Sequence, residues 1–187
     1  MPVTRRRWWT KTRGLPVDAH ASWTSSLLAH PARQVRILAW ATTPDGFAIG
    51  SPAALSLSPG SEAAGAQPDE WRHVGWHEVE RGGWDADTSR LGWVLYGGER
   101  GSVELVEPGR LPEVFRERVA ASIVLERSVP ILNRRSVLIS ARRDLAAGDG
   151  EITWNTTLGR GLSWQGEGVR AAVDEAVQQV RTEYDLG

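Results

Sequence analysis

A chain of 187 residues is long enough to fold as one domain of ordinary size without a metal or a disulfide. It contains no cysteine, which excludes thiol nucleophiles, thiolate metal sites and redox switching. The net charge of −1 conceals an asymmetry, because five of the 22 basic residues precede the first acidic residue, Asp18. The remainder carries 17 basic against 23 acidic side chains, and such an acidic body is a poor general ligand for nucleic acid.

Residues 1–32 show neither a helical nor a strand period, and they predict a basic, loosely ordered arm before a single domain over residues 33–187. A short helix is predicted within the arm from Trp23 to Ala29. The predicted partner-binding residues lie at its start: Arg5, Arg6, Arg7, Trp8, Trp9, Lys11 and Arg13. Arginine with tryptophan suits a protein partner or an anionic membrane surface, and the same set can hold nucleic-acid phosphates while stacking a base. A solvated basic terminus without a partner is the alternative.

Short strands are predicted along the first part of the domain. Apolar positions alternate from Gln34 to Thr42, the Pro44-Asp45-Gly46 turn follows, and a second strand runs from Phe47 to Leu57. Residues 58–70 predict a loop, and Gly82-Gly83 and Gly97-Gly98 predict breaks. The further strands are Trp71–Val79, Leu91–Tyr96 and Ser102–Val106. Such spacing is typical of a small barrel or sandwich.

Two helices interrupt and end this strand series. A helix is predicted near 111–122, because Pro112 suits its first turn and an apolar stripe follows. Two further strands are predicted at 136–141 and 151–157. The C-terminal helix, near 168–185, carries a stripe at helical spacing: Val169, Ala172, Val173, Ala176, Val177, Val180 and Tyr184. The predicted fold is therefore mainly β (α+β), an antiparallel barrel or sandwich of about seven strands with one inserted helix and a C-terminal capping helix.

The order of these elements resembles the pleckstrin-homology-like barrel. The residues that carry the resemblance are the strand series from Gln34 to Thr157 and the capping helix from Glu167 to Asp185. In this resemblance the helix at 111–122 is an insertion between the fifth and sixth strands. The chain also resembles uncharacterised actinobacterial proteins that share a Trp84-Asp85 step, an Ala141-Arg142-Arg143 strand end and a C-terminal helix. These resemblances imply a fold and a source, and they imply no activity.

Two groups of polar residues are candidate sites. His73 and His77 fall on one predicted strand about 13 Å apart by strand rise, too far to share one metal ion, so they are interpreted as solvent-facing side chains. The segment from Asp85 to Ser89 resembles the start of a calcium loop or a phosphatase nucleophile motif. It lacks the glycine and glutamate of that calcium loop, and Gly82-Gly83 precede it in place of the buried strand that the phosphatase motif requires. A tight turn capped by its own side chains is therefore the prediction.

Tryptophan is unusually abundant in this chain, with ten residues. Most are expected to pack in the core, and an aromatic-lined groove for a peptide, a base or a flavin ring is the functional alternative. No active-site motif, cofactor or metal site is indicated. The sequence therefore favours a non-enzymatic binding or adaptor domain. The alternatives are a flavin-binding split-barrel enzyme, with arginines such as Arg142 and Arg143 around a phosphate, and then a nucleic-acid-binding module.

The expected location is the cytoplasm. No stretch approaches the roughly 18 consecutive apolar residues that a membrane span requires. The residues that follow Arg5-Arg6-Arg7 are polar and basic, so the apolar segment of an export signal is missing. The sequence does not indicate an oligomeric state.

Overall fold

The computed structural model describes residues 14–27, 35–60, 70–146 and 150–184. The chain is mainly β, with antiparallel sheets and the helices predicted near 111–122 and 168–185, so the predicted fold class is confirmed. The helices are α1 (Val17–Leu27), α2 (Leu111–Ser122) and α3 (Val169–Tyr184). The strands are β1 (Ala39–Thr43), β2 (Gly46–Gly50), β3 (Ala54–Leu57), β4 (Arg72–Gly75), β5 (Val79–Asp85), β6 (Arg90–Leu95), β7 (Arg100–Glu104), β8 (Ile123–Pro130), β9 (Ser136–Arg143) and β10 (Ile152–Leu158).

The N-terminal half, residues 14–122, contains two sheets and a helix around one core. The first sheet has the strand order β1-β2-β3-β4, and the second has the order β5-β6-β7. Helix α2 contributes Leu111, Val114 and Phe115 to the core that these strands enclose. Phe115 packs edge-on against Trp76 with ring centroids 5.8 Å apart, and both side chains are buried. Each such side chain contributes roughly 1.5–3 kcal/mol through burial, so α2 is integral to this core.

The C-terminal half, residues 123–184, has its own sheet and its own core. Its sheet has the order β10-β9-β8, and α3 covers one face of it. The helix buries four small or β-branched side chains against that face: Val169, Val173, Ala176 and Val180. The predicted apolar stripe is therefore buried from Val169 to Val180, whereas Tyr184 at its end is 47% exposed.

Helix α1 closes a third, smaller cluster on the N-terminal half. Trp23 and Leu27 are buried against Ile49, and Trp71 packs beside them. The indole of Trp71 donates a hydrogen bond to Ser22 Oγ at 3.0 Å. The helix begins well before Trp23, where the sequence predicted it to start, because it is stabilised by this tertiary packing rather than by its own periodicity.

The two halves meet around one buried arginine. Arg142 of β9 is 2% exposed, and its guanidinium forms a 3.0 Å ion pair with Glu126 of β8. The other hydrogen bonds of this guanidinium are to Tyr96 Oη, Ser140 Oγ, the Val119 carbonyl and Ser122 Oγ, at 3.0 to 3.3 Å. Three of these partners belong to the N-terminal half. Because a buried charge is costly unless it is satisfied, Arg142 couples the two halves.

Several local expectations are corrected by the structure. The three sheets do not close into a barrel. The C-terminal helix covers the β10-β9-β8 sheet, as predicted for its last strands, whereas α2 packs against β1–β7. The prediction of a single strand from Phe47 to Leu57 is wrong. The segment is two strands, β2 and β3, because Ser51 Oγ accepts hydrogen bonds from the amides of Ala53 and Ala54 and turns the chain.

The prediction that Gly82-Gly83 break a strand is also wrong. Both glycines lie inside β5. A Cβ atom at Gly82 would lie 2.7 Å from the Phe115 ring, so the glycine permits close packing of helix on sheet. Strand β8 follows α2 directly and was not predicted, since no turn residue separates Ser122 from Ile123.

Candidate functional site

An open groove of about 680 Å³ lies over the β5–β7 sheet. We call it the arginine groove, and its lining residues are Arg81, Gly82, Gly92, Trp93, Val94, Arg100, Gly101 and Ser102. All three strands of the sheet contribute to it. The groove therefore depends on strand register, because its residues come from three separate segments of the chain.

Strand register places the side chains of the groove in rows. Trp93 belongs to the core, so the residues that alternate with it along β6 point to the opposite face. On that face Arg81 of β5 and Arg100 of β7 flank Val94 of β6 in one row. The next row consists of Gly83, Gly92 and Ser102. Two glycines in this row leave the backbone of the sheet uncovered between flanking side chains.

The floor of the groove has room for a ligand at Gly92. A Cβ atom built there meets only the Gly101 carbonyl oxygen, at 3.9 Å, and one built at Gly83 meets nothing within 4 Å. On the core side the sheet is tightly packed instead, since a Cβ atom at Gly101 would lie 2.4 Å from the Trp93 indole. Gly101 is therefore required by packing, whereas Gly92 is open to solvent.

The charges of the groove are unequally distributed. Arg81 and Arg100 are exposed, and neither side chain has a hydrogen bond or an ion pair among the described residues. Beyond the glycine row lies a third row in which Arg90 stands between Asp85 and Glu104. Arg90 also donates a hydrogen bond to Ser102 Oγ at 3.1 Å. The row with Arg81 and Arg100 thus offers two unpaired guanidinium groups. In the row on the other side of the glycines, Arg90 stands between two carboxylates.

A second cavity, of about 330 Å³, lies between the two halves. Its lining includes His77, Glu78, Tyr96, Glu99, Thr153 and Asn155. The Nδ1 atom of His77 lies 3.4 Å from Asp144 Oδ1, within ion-pair range but without hydrogen-bond geometry. The Tyr96 hydroxyl accepts from Arg142, and Glu99 is paired with Arg72. His77 and Tyr96 therefore face partners in the C-terminal half, whereas Glu99 is paired within the N-terminal half.

The histidines do not lie on one solvent-facing strand as predicted. His73 is in β4, where Ser56 Oγ lies 2.8 Å from its Nδ1 and Ser26 Oγ lies 3.1 Å from its Nε2. The strand ends at Gly75, and His77 follows in a short 3₁₀ turn. Among the described residues no group of three or more potential ligands could hold a metal ion. His73 therefore ties α1 and β3 to β4.

The predicted tight turn after Asp85 is confirmed. Asp85 Oδ1 accepts hydrogen bonds from the amides of Asp87 and Thr88 at 3.0 and 3.3 Å. Hydrogen bonds from Thr88 and from these amides hold the pKa of the Asp85 carboxyl below its ordinary value. The carboxylate serves the turn between β5 and β6.

The predicted partner-binding residues (Arg5, Arg6, Arg7, Trp8, Trp9, Lys11 and Arg13) all lie outside the described residues. The tryptophans of the described part are mostly packed, as expected: Trp23, Trp76 and Trp93 are buried, and Trp164 is exposed at 38%. The groove was missed because its arginines and glycines are ordinary residues in sequence. The only local signal was the density of glycine between residues 82 and 101.

In the described part of the chain, no helix is both long enough and apolar enough to cross a membrane. Comparison with protein-family models, with curated protein sequences and with solved structures finds no match to the chain. Its function is therefore inferred from its own residues and their geometry.

Proposed function

We propose that this protein is a non-enzymatic binding domain and that the arginine groove receives an acidic, extended segment of a partner protein. A single observation carries the proposal. The Arg81 and Arg100 side chains are unpaired and flank Val94 in one row, beside an adjacent row with an open glycine floor. A guanidinium without an internal partner is a ready donor to carboxylate, and an uncovered backbone floor lets another chain approach closely.

The spacing favours a protein segment over a single small anion. Arg81 and Arg100 lie two strands apart, which is roughly 10 Å at the usual strand separation. An extended segment in the polyproline II conformation has three residues per turn and rises about 3.1 Å per residue, so carboxylates three residues apart share one face and match this distance. Asp85 and Glu104 across the floor disfavour a dense polyanion, because they would repel its nearest charges.

The test uses a fluorescein-labelled ten-residue peptide with glutamate at every third position and serine between, measured by fluorescence anisotropy at low salt. The wild-type chain is expected to bind it, and the Arg81→Gln/Arg100→Gln double variant is expected to bind at least about tenfold more weakly. Arg116→Gln is the matched control, since Arg116 is exposed on α2 without a partner among the described residues. Equal affinities of the double variant and the control would contradict the proposal.

A second variant tests the floor without removing charge. Gly92→Val places a branched side chain in open space, so the fold is expected to stay intact while the groove is filled. Peptide binding should fall to the level of the double variant, with the melting temperature nearly unchanged. If Gly92→Val binds the peptide as well as wild type, the segment does not lie over Gly92.

Attachment to an anionic surface through the N-terminal tail stays a prediction from the sequence. If vesicles of anionic lipid bind wild type and a variant lacking residues 1–14 equally, the tail has no such role. The flavin alternative also stays a prediction. Protein that is colourless and binds no added flavin would remove it.

The sequence predicted the pleckstrin-homology-like resemblance from Gln34 to Thr157, with the helix from Glu167 to Asp185 as the capping helix. We also propose a narrower form, in which the resemblance applies to the N-terminal half alone and α2 is the capping helix. A four-stranded sheet, a three-stranded sheet and then α2 follow one another there around one core, which supports it. An experimental structure with α2 outside that core would contradict it.

A cytoplasmic location is proposed on the absence of cysteine and is tested by fractionation of the source cell.

A further inference from the structure

A second charged surface lies at one end of the C-terminal half, remote in sequence from the arginine groove. It is formed by the turn at 131–135, the loop at 159–168 and the first turn of α3. We call it the arginine–tryptophan surface, and its exposed members are Arg134, Arg135, Arg160, Trp164 and Arg170.

Contacts between the two loops hold these residues together. The Arg135 guanidinium donates a hydrogen bond to the Gly161 carbonyl, next to Arg160. Leu132 lies 3.7 Å from where a Cβ atom of Gly168 would stand. The Arg170 guanidinium carbon lies 5.7 Å from the centre of the Trp164 ring, in cation–π contact. The four cations and the indole therefore share one end of the sheet.

The charge of this surface is strongly basic although the chain as a whole is weakly acidic. Glu167 is the single acidic residue among residues 131–135 and 159–170, against four arginines. Among the described residues, none of Arg134, Arg160 and Arg170 has an ion pair. Three arginines are thus available to a ligand, and Arg135 lies beside them.

The start of α3 adds donors of a second kind. The first turn of a helix leaves backbone N–H groups unpaired, and the helix dipole places partial positive charge there. The Val169 amide already donates to the Gly166 carbonyl and the Ala172 amide to the Gly168 carbonyl, and Arg170 lies within the first turn of α3. Helix N-terminus and arginines together favour a phosphate group.

We propose that the arginine–tryptophan surface binds a nucleotide unit, with its phosphate held by Arg160, Arg170 and the start of α3 and its base stacked on Trp164. An exposed indole beside unpaired guanidinium groups is the combination that stacks a base while neutralising phosphate. The proposal does not depend on the arginine groove, because it involves the other half of the molecule.

An anionic membrane is the competing ligand, and the surface fits it less well. Trp164 is the single large apolar side chain exposed there, while Leu132 and Leu162 are half-buried in the core of the C-terminal half. Insertion into a bilayer needs more free apolar surface than one indole already in contact with a guanidinium. Stacking of a nucleotide base, in contrast, requires only one free face of the Trp164 ring.

The test uses the full chain with a fluorescein-labelled fifteen-nucleotide oligothymidylate, by anisotropy at 50 mM salt. Trp164→Ala is expected to weaken binding at least about fivefold, in line with the loss of one stacked base. Arg160→Gln/Arg170→Gln is expected to weaken it at least about tenfold and to reduce the salt dependence, whose slope is about −0.7 per phosphate contact. Arg116→Gln is again the control and should bind as wild type. The basic tail is common to all these proteins, so their differences report the surface alone.

Two further arms identify the source of the nucleotide unit. Competition by thymidine monophosphate at millimolar concentration would assign the site to a free nucleotide, and its failure beside tight oligonucleotide binding would assign it to a single strand. No binding of either, or equal binding by wild type and both variants, would overturn the proposal. Loss of binding to anionic vesicles in Trp164→Ala, with oligonucleotide binding unchanged, would also overturn it.

Discussion

The two halves of this molecule enclose their cores in different ways. In the N-terminal half, seven strands and α2 surround large aromatic side chains, among them Trp76, Trp93 and Phe115. In the C-terminal half, three strands and α3 form two layers that are held by small and β-branched side chains. The first core depends on interlocking shapes, whereas the second depends on one continuous helix face. We therefore expect the two halves to respond differently to the loss of a single side chain.

The largest effect is expected from Phe115→Ala in the N-terminal half. The ring packs against Trp76 and under Gly82, so its removal leaves a cavity between helix and sheet. The expected loss in the free energy of unfolding is about 4 kcal/mol. Denaturant titration followed by tryptophan fluorescence measures it. A loss below 1 kcal/mol would show that α2 does not fix this core.

A slightly smaller effect is expected where the halves meet. Arg142→Met keeps the apolar stem but removes every guanidinium hydrogen bond, leaving Tyr96 and Ser122 without that partner. The expected cost is roughly 3 kcal/mol, at the lower end for a broken buried pair because Glu126 is 38% exposed and can rehydrate. Calorimetry should then show two overlapping transitions. One sharp transition at the wild-type temperature would contradict the coupling role.

The core of the C-terminal half should tolerate the truncation of a buried side chain better than the core of the N-terminal half. Val173→Ala removes two buried methyl groups from α3 and is expected to cost about 1.5 kcal/mol. Hydrogen exchange should accelerate in β9 while β2 and β3 keep their protection. Equal acceleration in both halves would mean that they unfold as one unit.

The smallest effect concerns an ion pair at the end of α3. A hydrogen bond from Arg127 lowers the pKa of the exposed Glu183 carboxyl below its ordinary value. A lowered folded-state pKa contributes stability above the unfolded-state pKa, and that contribution is lost as pH falls through the folded-state pKa. Glu183→Gln should therefore lower the melting temperature slightly at pH 7 and not at pH 2. A difference that is larger at pH 2 would contradict this sign.

Sequence reasoning succeeded where one segment carries its own signal. Helix α3 was predicted within one or two residues because its apolar stripe repeats at 3.6 residues over the whole element. The turn at Asp85 was predicted because its side chain bonds to neighbouring amides. Both features depend on residues close in sequence.

The features that were missed depend on residues far apart. Gly82 resembles a strand break until Phe115, 33 residues later, is seen to occupy the space of its missing side chain. The arginine groove requires β5, β6 and β7 to pair in one register, and the arginine–tryptophan surface requires two loops to interlock. No periodicity within a single segment reports such juxtapositions.

The central claim is that each half carries its own ligand surface, and glycine amides in both halves can report on it directly. In a two-dimensional amide NMR spectrum, the glutamate-containing peptide is expected to shift the signals of Gly82, Gly92 and Gly101 and to leave those of Gly161 and Gly168 in place. The oligothymidylate is expected to do the reverse. Shifts of the Gly161 and Gly168 signals by the peptide, or no shift at Gly92, would contradict the claim.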